Sequence, residues 1–112
     1  RIRSGQKISA QKHLLIMGDV NPGGEVSAGG NIIIMGRLCG VAIAGTPANS
    51  KAMIVALDFR PAQIHIGEYV AAGLPTRKTE KTEYAYVDQG TIIVDEYLKA
   101  NPFGNLPWPE VL

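Results

Sequence analysis

Apolar residues recur at every sixth position along the first part of the chain, and glycine keeps the same spacing in another phase. The apolar series consists of Ile2, Ile8, Leu14, Val20, Val26, Ile32, Leu38 and Ala44, and the glycine series of Gly18, Gly24, Gly30 and Gly36. A helix needs a hydrophobic period of about 3.6 residues, so this longer period predicts short strands separated by tight corners. Three such sides predict an all-β fold, a short parallel β-helix with coils of about 18 residues.

Two pairs of segments repeat at an offset of eighteen residues. The segment LIMG that begins at Leu15 returns as IIMG at Ile33, and GQKISA at Gly5 returns as GGEVSA at Gly23. Stacking such repeats places each rung about 4.8 Å from the last and joins the strands in parallel ladders. We therefore expect the apolar series to fill a narrow interior column.

The sixfold rhythm then breaks at Gly45 to Lys51 (GTPANSK), where Pro, Asn and Ser predict an inserted loop. Strands are predicted again at Ala52 to Phe59 and at Ala62 to Ile66, the latter with Ile64 and Ile66 on one face. These strands complete the last coil of the predicted stack.

The rest of the chain predicts a hairpin between two less regular segments. Tyr84 to Tyr97 has the pattern of a β-hairpin, with Asp88, Gln89 and Gly90 near its turn. The prolines of the last segment exclude regular sheet there. The predicted organisation is a β-helix core at 1–70, a loop at 71–83, a capping hairpin of the same domain at 84–98 and an extended proline-rich tail at 99–112.

Apolar residues also fall where side chains are expected to point outward. In the runs IIIM from Ile32 and MIVAL from Met53, alternate residues face outward if their neighbours fill the column. Such a patch is a liability on a monomer, and a twofold interface would bury it. We therefore predict a homodimer. The alternative is that the hairpin from Tyr84 covers this face within one chain.

Composition and charge narrow the class of protein. The 112 residues, 46% of them hydrophobic, fit one domain, and a net charge of +1 provides no strong field to attract nucleic acid or anionic lipid. The single cysteine, Cys39, favours a reducing compartment, so we expect the cytoplasm. No apolar stretch approaches the roughly 20 residues that span a bilayer. Because the chain starts at Arg1 rather than at Met, we expect a domain of a longer protein.

The residue types that carry chemistry are few and isolated. His13 and His65 are too few for a zinc site, which needs three or four ligands, and no GxGxxG or Walker lysine is present to hold phosphate. Cys39 lacks an adjacent base, and Asp95 and Glu96 face opposite ways on a predicted strand. We therefore predict no catalytic site, no metal and no cofactor.

Four sequence motifs follow one another along the first half of the chain. They are RSGQ from Arg3, GDVNPGGE from Gly18, AGGNIIIMGRLCG from Ala28 and VALD from Val55. In this order they resemble the C-terminal domain of the bacterial division inhibitor MinC, and the resemblance extends from Arg1 to about Gly67. The segment from Tyr84 to Tyr97 is similar to the final strand pair of that family, whereas the proline-rich tail lies outside its pattern.

The resemblance implies a right-handed triangular β-helix that forms a homodimer through one sheet face. It also implies binding to the membrane-associated ATPase MinD, so that a cytoplasmic domain reaches the inner face of the cell membrane only through MinD. The MinC protein prevents the tubulin-like FtsZ from assembling a ring away from midcell, mainly through an N-terminal domain. The implied role of this chain is that of the non-catalytic dimerising and targeting half.

The resemblance implies that the MinD contact includes Arg3, Ser4, Gly5 and Gln6. Arg3 offers a planar fork of donors for a carboxylate, Gln6 offers a donor and an acceptor, and Ser4 and Gly5 let a partner's backbone approach. The site is predicted to extend to Gly29, Gly30 and Asn31, one coil above. The alternative is structural: RSGQ simply opens the first coil, and the glycines are corners that any such coil requires.

Two other classes of protein share parts of this pattern. Left-handed hexapeptide acyltransferases also use eighteen-residue coils, but they need a catalytic histidine in a loop, and the histidine signal here is weak. A self-assembling β-helix scaffold similar to bactofilins would stack end to end through exposed terminal rungs. Such scaffolds lack the RSGQ opening.

Overall fold

A computed structural model describes residues 1–72 and 82–97, which form ten short β-strands in a coil of about three turns. The strands are β1 (Lys7–Ala10), β2 (Leu14–Ile16), β3 (Glu25–Ala28), β4 (Ile32–Leu38), β5 (Val41–Ala44), β6 (Ile54–Phe59), β7 (Gln63–Ile66), β8 (Tyr69–Ala72), β9 (Glu83–Asp88) and β10 (Thr91–Glu96). The predicted all-β class and stacked coils are confirmed.

The strands form two five-stranded sheets and a third side that is joined by single bridges. The first sheet has the order β1-β3-β5-β7-β8, and the second has the order β10-β9-β6-β4-β2. The strands from β1 to β7 in the first sheet and from β2 to β6 in the second are parallel. On the third side, bridges join Ile2 to Val20 and Val20 to Leu38. The coil is therefore triangular, as predicted.

The interior column is built from the apolar series that the sequence predicts. Five members of the series are 0% exposed: Val20, Val26, Ile32, Leu38 and Ala44. Ile8 differs, with 40% of its surface exposed, because β1 lies in the first coil and pairs on one side only within the described residues. Burying a branched aliphatic side chain contributes about 1.5–3 kcal/mol, so the column supplies much of the packing energy.

The third coil departs from the eighteen-residue repeat at the corner formed by Cys39 and Gly40. This corner is two residues short, so Val26 pairs with Ala42, whereas the sixfold series predicts Ala44 at that level. A Cβ on Gly40 would overlap the backbone of the coil below, which shows how closely the shortened corner approaches that coil. Ala44 remains buried because it lies two positions along β5 and so on the same face as Ala42.

The insertion predicted at Gly45 to Lys51 is present as the loop between β5 and β6. It delays the next rung, so that Ile32 pairs with Ile54. Beyond the loop the stack resumes as predicted, with Ile64 and Ile66 fully buried on one face of β7. An insertion at a corner changes the length of one coil and leaves the interior column continuous.

The far end of the coil is closed by antiparallel strands. β8, which the sequence analysis does not predict, pairs antiparallel with β7. The predicted hairpin is confirmed as β9 and β10, with positive φ angles of 49° at Gln89 and 78° at Gly90 in its turn.

The boundaries of the predicted loop at 71–83 need correction. Ala71 and Ala72 end β8, and Glu83 begins β9, because backbone pairing continues into both ends of that segment. Residues 73–81, the end of the predicted hairpin at residue 98 and the predicted tail at 99–112 lie outside the described residues.

Candidate functional site

The segment Arg3 to Gln6 forms a tight turn, the RSGQ turn, at the corner that leads into β1. The N–H of Gln6 donates to the carbonyl of Arg3 at 3.0 Å, and the N–H of Arg3 donates to Oε1 of Gln6 at 2.7 Å. Gly5 has a φ of 83°, a left-handed value that favours glycine. The Gln6 side chain therefore holds the turn closed, and the exposed Arg3 and Ser4 lie on its outer surface.

A second turn of the same form supports the RSGQ turn from the next coil. In this turn the N–H of Gly24 donates to the carbonyl of Asn21 at 2.9 Å, and Gly23 has a φ of 83°. The N–H of Gly5 donates to the carbonyl of Gly23 at 3.0 Å, which joins the two turns. A Cβ on Gly23 would overlap Oγ of Ser4, so glycine at this position sets where the Ser4 side chain lies.

The third side of the coil carries charged side chains next to these turns. Nε of Arg37 and Nε of Arg60 donate to the two carboxylate oxygens of Asp58, at 3.2 Å and 2.7 Å. The backbone N–H of Arg37 also donates to Oδ1 of Asp19 at 2.7 Å. Because these groups are partly exposed, each ion pair adds at most about 1 kcal/mol to stability. Their main effect is to set the charge pattern of this surface.

Arg3 belongs to an outward column on this third side. One inward residue of each coil stacks on the next on this side: Ile2, Val20, Leu38 and Phe59. The residue that follows each of them in the chain faces outward. The outward column consists of Arg3, Asn21, Cys39 and Arg60. Sequence reasoning missed Arg37 and Arg60 because the inserted loop moves Asp58 and Arg60 away from the eighteen-residue spacing, so that the pairing of Arg37 with Asp58 leaves no regular offset. The signal that could have found them is the pairing of Leu38 with Phe59 across that loop.

The other three predicted site residues, Gly29, Gly30 and Asn31, lie at the opposite corner of the first sheet. The RSGQ turn precedes β1, whereas these residues follow β3, and both strands are parallel and four residues long. A strand of this length separates the two groups by about 13 Å. The seven predicted residues therefore lie in two groups, one at each end of these strands, and do not form a single cluster.

Contacts within the coil hold this second corner together. The N–H of Asn31 donates to Nδ1 of His13 at 2.9 Å, and its Oδ1 accepts the N–H of Met53 at 2.8 Å. A Cβ on Gly29 would overlap the backbone of the coil below, and a Cβ on Gly30 would lie against the ring of His13. Asn31 thus links three successive coils through its main chain and side chain.

The described residues give no support to a reactive cysteine or to a metal site. Burial raises the pKa of the Cys39 thiol, against an opposing effect of nearby Arg37, so the thiolate is disfavoured. Within the described residues, no three His, Cys, Asp or Glu side chains are grouped so as to hold a metal ion. The same residues contain no helix that is long and apolar enough to cross a membrane.

The hairpin contains a hydrogen bond that an alkaline titration can detect. The Tyr86 hydroxyl donates to Oδ2 of Asp95 at 2.8 Å, and this bond raises the pKa of Tyr86 to about 12. The ordinary tyrosine pKa, expected in the unfolded chain, is about 10. Because the folded-state value is the higher one, the bond stabilises the fold fully below about pH 10 and stops doing so as the pH rises through about 12.

We expect Tyr86→Phe to remove the latest step from the titration curve of phenolate absorbance. Tyr69→Phe is the control, because it changes an exposed tyrosine on β8 and should leave that step in place. A latest step of unchanged amplitude in Tyr86→Phe would show that the bond does not form in solution.

The outer face of the second sheet is apolar across four strands. Leu15, Ile33, Val55 and Tyr84 form one row from β2 to β9. A second row, next to the first, contains three exposed side chains: Met17 (74%), Met35 (40%) and Leu57 (43%). We call these seven residues the apolar face.

The hairpin extends the second sheet beyond β6. β9 pairs with β6 as the next strand of the same sheet, so it does not lie across the face. The rings of Tyr84 and Tyr86 stack with centroids 5.1 Å apart, next to Val55. Tyr86 and Tyr97 pack against Val55 and Tyr84, which are each only 6% exposed. The alternative weighed from sequence is therefore observed in part: the hairpin covers one end of the apolar face and leaves Leu15, Met17, Met35 and Leu57 exposed.

Comparisons of the sequence with known proteins give consistent matches. A family model described as the C-terminal domain of the septum formation inhibitor MinC matches residues 1–97. Probable septum site-determining proteins MinC from Acetivibrio thermocellus and Geobacillus kaustophilus are 40% and 45% identical to this chain, and each alignment covers 88% of it. The same alignments cover 45% and 44% of those relatives, so the chain spans less than half of their length.

A solved structure shows the same fold. The chain is similar to one in the MinC:MinD cell division protein complex of Aquifex aeolicus, with a TM-score of 0.81 and 39% sequence identity. The match covers 85% of this chain and 80% of that one. The family match at residues 1–97 includes the RSGQ turn, the charged third side and the apolar face.

Proposed function

Because this chain belongs to the family of C-terminal domains of the septum formation inhibitor MinC, we propose that it is a non-catalytic dimerisation and MinD-binding domain of a division-septum placement inhibitor. The observation that carries the proposal is an exposed, hydrogen-bonded RSGQ turn in a chain that is similar to part of a MinC:MinD complex. In this role, the membrane-associated ATPase MinD recruits a cytoplasmic domain to the inner face of the cell membrane. The inhibitor then prevents FtsZ ring assembly away from midcell, with FtsZ contacted mainly by an N-terminal domain.

In this proposal, Arg3 and Ser4 make the contact with MinD. Both side chains are exposed on a turn whose backbone is held by its own hydrogen bonds, so little ordering is needed on binding. Among the described residues, the ion pairs of the third side join Arg37 and Arg60 to Asp58, and neither of these pairs includes Arg3. The Arg3 guanidinium is therefore the donor group of the turn that is suited to a carboxylate or carbonyl of the partner.

Gln6 and Gly5 act in the same proposal by shaping the turn. Oε1 of Gln6 is engaged by the backbone of Arg3, and Gly5 supplies the left-handed backbone. Gly29, Gly30 and Asn31 contribute to binding from the far corner, by holding the first three coils in register. Their contribution is support for the surface, because they lie a strand length away from Arg3.

Arg3→Ala is expected to weaken ATP-dependent binding to MinD about tenfold or more, because a hydrogen bond from a charged donor is lost. Gln6→Ala is expected to weaken it as well by loosening the turn. Gln6→Glu should retain most of the binding, since the carboxylate keeps an acceptor for the N–H of Arg3. The measurement is cosedimentation of the domain with MinD, ATP and anionic liposomes.

Lys51→Ala is the matched control for these variants. Lys51 is an exposed cation on the inserted loop, away from the RSGQ turn, and its removal should leave binding unchanged. If Arg3→Ala binds MinD as well as the parent domain does, the RSGQ turn is not the contact. If Gln6→Glu fails while Gln6→Ala binds, Gln6 does not act by closing the turn.

The apolar face is the proposed twofold interface. Its exposed Leu and Met side chains would be removed from water by a second copy placed against them: Leu15, Met17, Met35 and Leu57. The RSGQ turn belongs to a different corner of the triangle, so a dimer built in this way leaves two turns accessible to MinD.

A further inference from the structure

Charge is distributed unevenly along the axis of the coil. The first coil, residues 1–18, contains only basic charged side chains: Arg1, Arg3, Lys7 and Lys12. In the described residues from 61 onward the charged side chains are all acidic: Glu68, Glu83, Asp88, Asp95 and Glu96. The net charge of +1 conceals this polarity. The first coil therefore attracts anionic groups, although the chain as a whole is nearly neutral.

The first coil also presents an open strand edge. Within the described residues β1 pairs with β3 alone. The carbonyls of Gln6 and Ala10 accept the N–H groups of Glu25 and Gly29, at 3.0 Å and 3.1 Å. In a parallel ladder such bonds come from alternate residues, so the N–H and C=O groups of Lys7 and Ser9 point to the open side. This row of donors and acceptors is a template for another strand.

An apolar position lies next to this edge. The Ile8 side chain points into the interior column, where Val26 stacks on one side of it. Its other side is not covered by a rung of the described coil, and 40% of its surface is exposed. A strand added below β1 would place one of its own side chains under Ile8 and extend the column by one level.

We propose that the open side of β1 binds an acidic, extended segment of another protein by strand addition. The backbone of that segment pairs with Lys7 and Ser9, and an apolar side chain packs under Ile8. Acidic side chains of the segment lie within reach of Lys7 on β1 and of Lys12 at the corner after it. This contact is separate from the RSGQ turn, because it uses the strand edge and not the corner before it.

The chemistry of the edge selects this occupant over two others. Two copies that meet through their first coils bring the same basic charges together and repel each other. A second copy that offers its acidic end instead is distinguished by the self-association test below. An anionic membrane would match the charges, but its headgroups do not match a row of alternating backbone donors and acceptors. Lysine on an edge strand hinders pairing with most chains, and an acidic chain is the one for which the same lysine is attractive.

The test measures fluorescence anisotropy with a labelled peptide of alternating glutamate and valine. Lys7→Glu/Lys12→Glu is expected to weaken its binding about tenfold or more, because two attractive rim charges become repulsive. Lys51→Glu makes the same charge change on the inserted loop and should have little effect. Equal losses in Lys51→Glu and in the double variant would overturn the proposed location.

Ser9→Pro separates strand addition from simple charge attraction. It removes the N–H that points to the open side and leaves the bonds between β1 and β3 in place, and proline is tolerated on such an edge. Binding should be lost in this variant, and unchanged binding would overturn the proposal. If Ser9→Pro does not fold, a backbone N-methylated form of the same peptide makes the test on the wild-type domain: it must not bind.

Three further outcomes have defined meanings. Binding to vesicles of anionic lipid, without binding of the peptide, would identify the edge as a membrane contact and overturn the proposal. Salt-sensitive self-association of the domain that Lys7→Glu/Lys12→Glu abolishes would identify a second copy as the occupant and also overturn it. Peptide binding that survives Arg3→Ala and is lost in Ser9→Pro would support it, whatever the result for MinD.

Discussion

Ile34→Ala is expected to lower the free energy of unfolding by about 3–4 kcal/mol. Ile34 is 0% exposed in the interior column, with Ile16 on the rung below and Ala56 on the rung above. The ladders of backbone hydrogen bonds fix the distance between rungs, so the neighbours cannot move in to fill the space that the lost methyl and methylene groups leave. The substitution therefore loses both transfer free energy and packing contacts. Urea denaturation followed by circular dichroism gives the change.

Ile43→Ala is the matched control for Ile34→Ala. Ile43 lies on the outer face of the first sheet, on β5, and is only partly buried. The same chemical change there should cost about 1 kcal/mol or less, because less apolar area is withdrawn from water. Both variants are compared at one protein concentration, since association would add to apparent stability. Equal losses would show that the column is not the main packing unit.

Leu15→Asp is expected to raise the dissociation constant of the proposed dimer about a hundredfold or more. Leu15 is 57% exposed in the single chain, so an aspartate is tolerated there when the chain is alone. Within a twofold interface on the apolar face, two copies of the carboxylate would be withdrawn from water without a partner. A penalty of several kcal/mol is ordinary for such a burial, and each 1.4 kcal/mol is tenfold in affinity, so about a hundredfold is a conservative figure. Sedimentation velocity over a range of protein concentrations measures this shift.

Val70→Asp is the matched control for Leu15→Asp. Val70 is 54% exposed on β8, in the other sheet, and its substitution should not change the association state. Equal effects of the two variants would show that the apolar face is not the interface. A wild-type domain that stays monomeric at all concentrations would contradict the dimer itself, and filaments of the domain alone would favour a scaffold of the bactofilin kind.

The candidate site combines a turn that four consecutive residues form with contacts between segments that are distant in the chain. The RSGQ turn is local, because glycine at position 5 and the Gln6 side chain close it within four residues. The resemblance to the MinC family singled it out as a contact, since the same residues could equally open the first coil. The grouping with Gly29, Gly30 and Asn31 was based on level in the stack. The two groups occupy different corners of the triangle, one before β1 and the other after β3. Arg37 and Arg60 were missed because their shared partner, Asp58, lies beyond the inserted loop.

The sequence by itself determined the architecture of this protein: the three-sided coil, the interior column, the inserted loop and the final hairpin. These features follow from period, and period is a local property, since strand and corner lengths are set by the residues within each side. Only the tertiary structure decided the shortened corner at Gly40, the reversal at β8 and the placing of the hairpin in the second sheet. Each of these depends on how one coil meets another, and such contacts leave no regular spacing along the chain.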